Sequence, residues 1–64
     1  MNHFKENLKE LRIENNYSQY KIAAILNITQ SDYNHYERGR REPNIDMLIK
    51  MAILFKVSLD ELIL

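Results

Sequence analysis

Gln30, Ser31, Asn34, His35 and Arg38 stand close together and carry the side chains in this chain best suited to chemistry. On a helix advancing 100° per residue they share an arc of about 140°, with Tyr33 and Tyr36 on the opposite side and Asp32 outside the arc. Glutamine and asparagine can donate and accept together against adenine, and arginine can pair with guanine, in a DNA major groove wide enough to admit a helix. A polar arc alone is ambiguous, because any amphipathic surface helix has one. Its setting gives it weight. A short helical pattern comes before it, with a tight turn between, and the basic run Arg38, Arg40 and Arg41 comes after it.

Little else in the chain suits any chemistry. The two histidines, His3 and His35, are too far apart in sequence for a local ligand pair, and there is no cysteine. Neither histidine has an acidic cluster beside it, so no metal and no cofactor is expected. Ser18, Ser31 and Ser58 fall at or near helix starts, where capping explains them better than nucleophilic catalysis. The carboxylates are dispersed among Lys and Arg at helix-neighbour spacing, as on solvated faces. A single glycine cannot build a phosphate-cradling loop. No enzyme is expected.

The elements that must position the arc read as an all-α chain of five helices. The first runs from about Asn2 to Glu14, with Phe4, Leu8 and Leu11 on one stripe, and stops at Asn15 and Asn16. Ser18 caps the second, with Tyr17 and Ile22 spaced as a hydrophobic staple and Ile22, Ala23 and Leu26 facing inward. Asn27 turns the chain in a left-handed conformation, and Thr29 caps the third helix, stapled by Ile28 and Tyr33. Gly39 lies just past its end, where a positive φ is often required. Asn44, after Pro43, caps the fourth helix, with Ile45, Leu48, Ala52 and Phe55 inward. Ser58 and Glu61 have capping-box spacing for the fifth, with Val57 and Leu62 as its staple.

Composition bounds the rest. At 64 residues, 45% of them apolar, residues 1–64 form one small domain near the lower limit for a self-sufficient core. Without disulfides, stability must come from packing and capping, with help from a partner subunit. No run approaches the roughly 18 apolar residues of a membrane span, and the charged N-terminus is no secretory leader, so a cytoplasmic location without membrane contact is expected. Nine basic residues against nine acidic ones leave no net charge, which sits awkwardly with phosphate binding. The distribution softens this: the arginines cluster, with Lys21 and Arg12 earlier, while Asp46, Asp60 and Glu61 fall in the C-terminal part.

In the order LKELR at Leu8–Arg12, YSQ at Tyr17–Gln19, YERGRREP at Tyr36–Pro43 and VSLDEL at Val57–Leu62, the chain resembles the helix-turn-helix domain of phage repressor and Cro-like proteins, the XRE type. The resemblance covers nearly all of it. It implies a five-helix, lambda-repressor-like DNA-binding domain, prokaryotic or phage-derived, whose second and third helices form the DNA-binding unit. It assigns base reading to Gln30, Ser31, Asn34 and His35, and backbone contact to Gln19, Lys21, Arg38, Arg40 and Arg41, with Gln19 also able to brace the third helix. Arg12 and Glu37 match an internal ion pair. Relatives commonly carry glycine where Asn16, Asn27 and Lys56 stand, and charged residues where Ile13, Ala24, Ile25 and Ile53 stand. Tyr20 suits either a phosphate contact or a cover for the bundle edge. The leading expectation is a transcriptional repressor that binds a palindromic operator on double-stranded DNA as a homodimer. The alternative is a protein-binding adaptor or antitoxin with a regulatory protein partner, in which DNA contact is secondary.

Overall fold

Apolar residues recur at three- and four-residue intervals between polar stops, and the described residues fold accordingly into helices. The computed structural model describes residues 3–64. It holds α1 (Phe4–Glu14), α2 (Gln19–Leu26), α3 (Gln30–Glu37), α4 (Ile45–Phe55) and α5 (Leu59–Ile63). The expected start of the first helix at Asn2 lies outside the described residues; His3 stands at its N-cap position.

The other four starts carry their expected caps. Ser18 Oγ accepts from the Lys21 N–H at 3.0 Å, Thr29 Oγ1 from the Asp32 N–H at 3.0 Å, and Asn44 Oδ1 from the Met47 N–H at 2.8 Å. Ser58 and Glu61 form a reciprocal capping box. Each such cap contributes about 1 kcal/mol to a helix too short to be stable alone. Asn16, Asn27 and Lys56 are left-handed, with φ of 61°, 60° and 58°, and Gly39 has φ of 72°. Asparagine tolerates this conformation; Lys56 adopts it at a cost of about 1 kcal/mol.

The helices bury one shared core: Phe4 and Leu8 from α1, Ile22, Ala23 and Leu26 from α2, Tyr33 from α3, Met51, Ala52 and Phe55 from α4, and Leu62 from α5. α2 packs on α3, α1 on both α3 and α5, and α4 on α5. Side chains also close helix ends across the bundle. Lys50 Nζ donates to the Leu26 carbonyl at 3.1 Å, and Asn7 Nδ2 to the Leu62 carbonyl at 3.1 Å.

α4 corrects one expectation. Ile45 was expected inward, yet it is 58% exposed, while Met51 is fully buried. Once Met51, Ala52 and Phe55 fix the inward side, four-residue spacing carries Ile45, Ile49 and Ile53 onto the outward side. All three are exposed, as are Ile13, Ile25 and Tyr20. Among the described residues, no helix is long and apolar enough to cross a membrane.

Candidate nucleic-acid interface

The position of α3 is fixed by a carboxylate. Glu37, at its last turn, has a side chain only 4% exposed and accepts from four donors. Arg12 Nε on α1 donates at 2.6 Å and Arg12 Nη2 at 3.3 Å; the Tyr33 hydroxyl donates at 2.5 Å, and Gln19 Nε2 on α2 at 3.1 Å. Arg12 Nη1 also donates to the Tyr17 carbonyl at 3.0 Å. One acidic side chain thus ties together α1, α2 and α3.

The network sets the protonation of its members. Burial pushes the Glu37 carboxyl upward, but hydrogen bonds from Arg12, Tyr33 and Gln19 outweigh it and hold the group below the ordinary carboxylate value. The hydrogen bond to Glu37 raises Arg12 further, against the opposing effect of its own burial. Tyr33 is pushed well above the usual phenol range, first by burial and then by its bond to Glu37, so its hydroxyl stays a donor. The ion pair expected between Arg12 and Glu37 is therefore present and wider than expected.

With Tyr33 fully buried, the opposite side of α3 faces out. Gln30 and Ser31 are exposed, while Asn34 and His35 are half-buried. Asn34 Oδ1 accepts from Gln19 Nε2 at 3.3 Å, which leaves the Asn34 amide nitrogen for an outside partner. His35 Nδ1 is buried without a hydrogen-bond partner among the described residues, so only Nε2 remains for a ligand. Gln19 sits as a brace between α2 and α3, as the resemblance implied.

Beyond α3 the left-handed Gly39 reverses the chain, with the Arg40 N–H bonded to the His35 carbonyl at 2.9 Å. The turn presents Arg38, Arg40 and Arg41 to solvent. Arg41 Nη1 lies 3.5 Å from Asp32 Oδ1, an exposed pair of small energetic weight. Lys21 is exposed on the first turn of α2, with its main-chain N–H held by the Ser18 cap.

Two parts of the site were not anticipated. The Tyr33 hydroxyl joins Glu37 one helical turn away, and four-residue spacing on the same helix was the signal for it. The Gln19–Glu37 bond spans 18 residues and has no local signal. No group of His, Asp and Glu that could hold a metal occurs among the described residues.

Residues 8–62 match the helix-turn-helix family profile. The chain is 40% identical over 60 residues to an SPbeta prophage-derived uncharacterized HTH-type transcriptional regulator, YonR, of Bacillus subtilis (strain 168), covering 94% of this chain and 56% of that protein. It is 41% identical over 56 residues to the HTH-type transcriptional regulator ImmR of the same organism, covering 88% and 44%. A crystal structure of a transcriptional regulator from Listeria innocua superposes with a TM-score of 0.93 at 35% identity, covering 98% of this chain and 59% of that one. The chain thus spans about half the length of these relatives.

Proposed function

We propose that this chain, which belongs to the XRE-type helix-turn-helix family, is the DNA-binding part of a transcriptional repressor acting as a homodimer on a two-fold symmetric operator. The observation that carries this reading is the exposed polar edge of α3, held by the Glu37 network and followed by a turn of three exposed arginines. On this reading α3 enters the major groove. Gln30, Ser31, Asn34 and His35 Nε2 then meet base edges, while Arg38, Arg40, Arg41, Lys21 and the first turn of α2 at Gln19 meet phosphates. The prophage origin of YonR, and a relative named the CTXphi transcriptional repressor RstR of Vibrio cholerae at 27% identity over 60 residues, support repression.

A chain with no net charge has little electrostatic attraction for DNA as a single copy. Two linked copies reading half-sites about 34 Å apart gain affinity through effective concentration. The outward stripe Ile45, Ile49 and Ile53 on α4 supports self-association, since it is the kind of apolar surface a second copy can cover. The test is a gel shift with paired variants. Gln30→Ala relaxes base preference, whereas Arg40→Ala weakens all sequences alike and flattens the salt dependence. If Arg40→Ala changes which sequence is preferred and Gln30→Ala changes nothing, the assignment is wrong.

The zero net charge and the exposed aliphatics favour one other reading, an adaptor or antitoxin that uses the same fold to bind a protein. No salt-sensitive duplex binding at micromolar protein would decide for it.

A further inference from the structure

The charges of α1 are divided between two edges. Lys5 and Lys9, one turn apart, share an edge with Arg12, and Glu6, Glu10 and Glu14 follow the neighbouring edge. The fold uses this division. Arg12 is taken up by Glu37, and the aliphatic stem of Lys5 lies over the turn after α3, so that a Cβ on Gly39 would stand 2.9 Å from Lys5 Cδ. Between α1 and that turn runs an open groove of about 470 Å³, lined by Lys5, Glu6, Lys9, Glu37, Arg38 and Arg40. Glu37 adds no net negative charge there, because it is nearly buried and paired with Arg12. Glu6 alone then stands against four cations in a chain of zero net charge. Glu10, Glu14 and Glu61 line a separate groove on the side of α1 toward α5.

Lys5 and Lys9 sit at a spacing where like charges repel, and neither has an ion-pair partner among the described residues. An anion in the groove would relieve that repulsion. Because the groove is open, the anion must itself be exposed, and lysines, as point charges on flexible stems, suit a phosphate without demanding a fixed angle. The groove is continuous with Arg38 and Arg40, the residues assigned above to the backbone beside α3.

We infer that the groove takes the DNA backbone, with Lys5 and Lys9 of α1 extending the phosphate contact of Arg38 and Arg40. This rests on the DNA-binding reading of α3 and adds to it a backbone contact from the first helix. The test uses the 64-residue chain carrying Lys5→Gln and Lys9→Gln together, with Lys9→Gln alone and Lys56→Gln as comparisons. Duplex affinity is measured from 50 to 200 mM salt, and folding is checked by circular dichroism.

The double variant binds all sequences more weakly in unchanged rank order, and its slope of log affinity against log salt is shallower by about 2. The wild-type advantage over it therefore shrinks roughly tenfold across that salt range. Lys9→Gln shows about half the change in slope, and Lys56→Gln shows none. An unchanged slope in the double variant, with Arg40→Ala still flattening it, overturns the groove and leaves the α3 reading intact. Absence of salt-dependent duplex binding by the wild type overturns both. If the double variant keeps full duplex binding but loses binding to a polyglutamate peptide, the groove serves an acidic protein and the inference fails.

Discussion

Replacing Arg12 by methionine tests the Glu37 network, since the new side chain keeps much of the packing volume and removes the charge with its donors, the one to the Tyr17 carbonyl included. Arg12 supplies two of the four hydrogen bonds to Glu37, at 2.6 and 3.3 Å, and the only cation in the network. In the variant, a carboxylate whose side chain is 4% exposed keeps only its bonds from Tyr33 and Gln19. A buried charge left without its partner costs about 3 to 5 kcal/mol, and the two remaining hydrogen bonds place this one near 3 kcal/mol. A domain of 64 residues has roughly 3 to 10 kcal/mol in all, so the loss is a large part of it. For a domain of this size the midpoint should fall by about 12 °C or more in thermal unfolding followed at 222 nm. Acid sharpens the test. The wild-type carboxyl lies below its ordinary value of 4.5, so its contribution is complete above that pH and fades as pH falls through the folded value. In Arg12→Met the carboxyl loses the strongest of the influences that hold it down, so it protonates more readily than in the wild type. Its penalty disappears on protonation, and the gap between the two proteins narrows in acid. Arg12→Met combined with Glu37→Met should recover part of the loss, since no buried charge remains but the Tyr33 hydroxyl is left without its acceptor. A loss below about 1 kcal/mol that does not vary with pH would refute the reasoning.

Lys56→Gly removes a side chain from a left-handed position and should stabilise the fold by about 1 kcal/mol, read as a rise in thermal midpoint. Ser58→Ala breaks the capping box that starts the five-residue α5 and should cost about 1 kcal/mol in denaturant unfolding. Ile49→Lys places a charge at the centre of the outward stripe on α4. If a second copy covers that stripe, equilibrium sedimentation should show a dimer for the wild type and a monomer for the variant, with thermal stability within about 0.5 kcal/mol of wild type.

The parts of this fold legible in the sequence are those decided locally. Ser18, Thr29, Asn44 and Ser58 each cap the helix that follows, because the capping oxygen and the N–H it accepts from lie within three residues of each other. The left-handed stops at Asn16 and Asn27 are equally local. Burial on α4 was less legible, since a helix rich in isoleucine and leucine offers more than one apolar side, and its neighbours decide which is covered. Spacing alone therefore puts Ile45 inward and gives no sign of the buried Met51. The Arg12–Glu37 pair, 25 residues apart, was expected only through resemblance. The bond from Lys50 to the Leu26 carbonyl and the draping of Lys5 over Gly39 depend on how the helices meet, and no local spacing announces either. At the candidate site the residue types were readable; the division of labour between Gln19, Asn34 and Glu37 was not.

Selection of bound duplexes from a random pool, carried out in parallel on the wild type and Gln30→Ala, tests the central claim most directly. The wild type should enrich a two-fold symmetric site whose half-sites lie about 34 Å apart or a multiple of that distance. Gln30→Ala should keep the symmetry and lose preference at one base position in each half-site. A wild-type pool no more enriched than one taken through selection without protein would contradict the account.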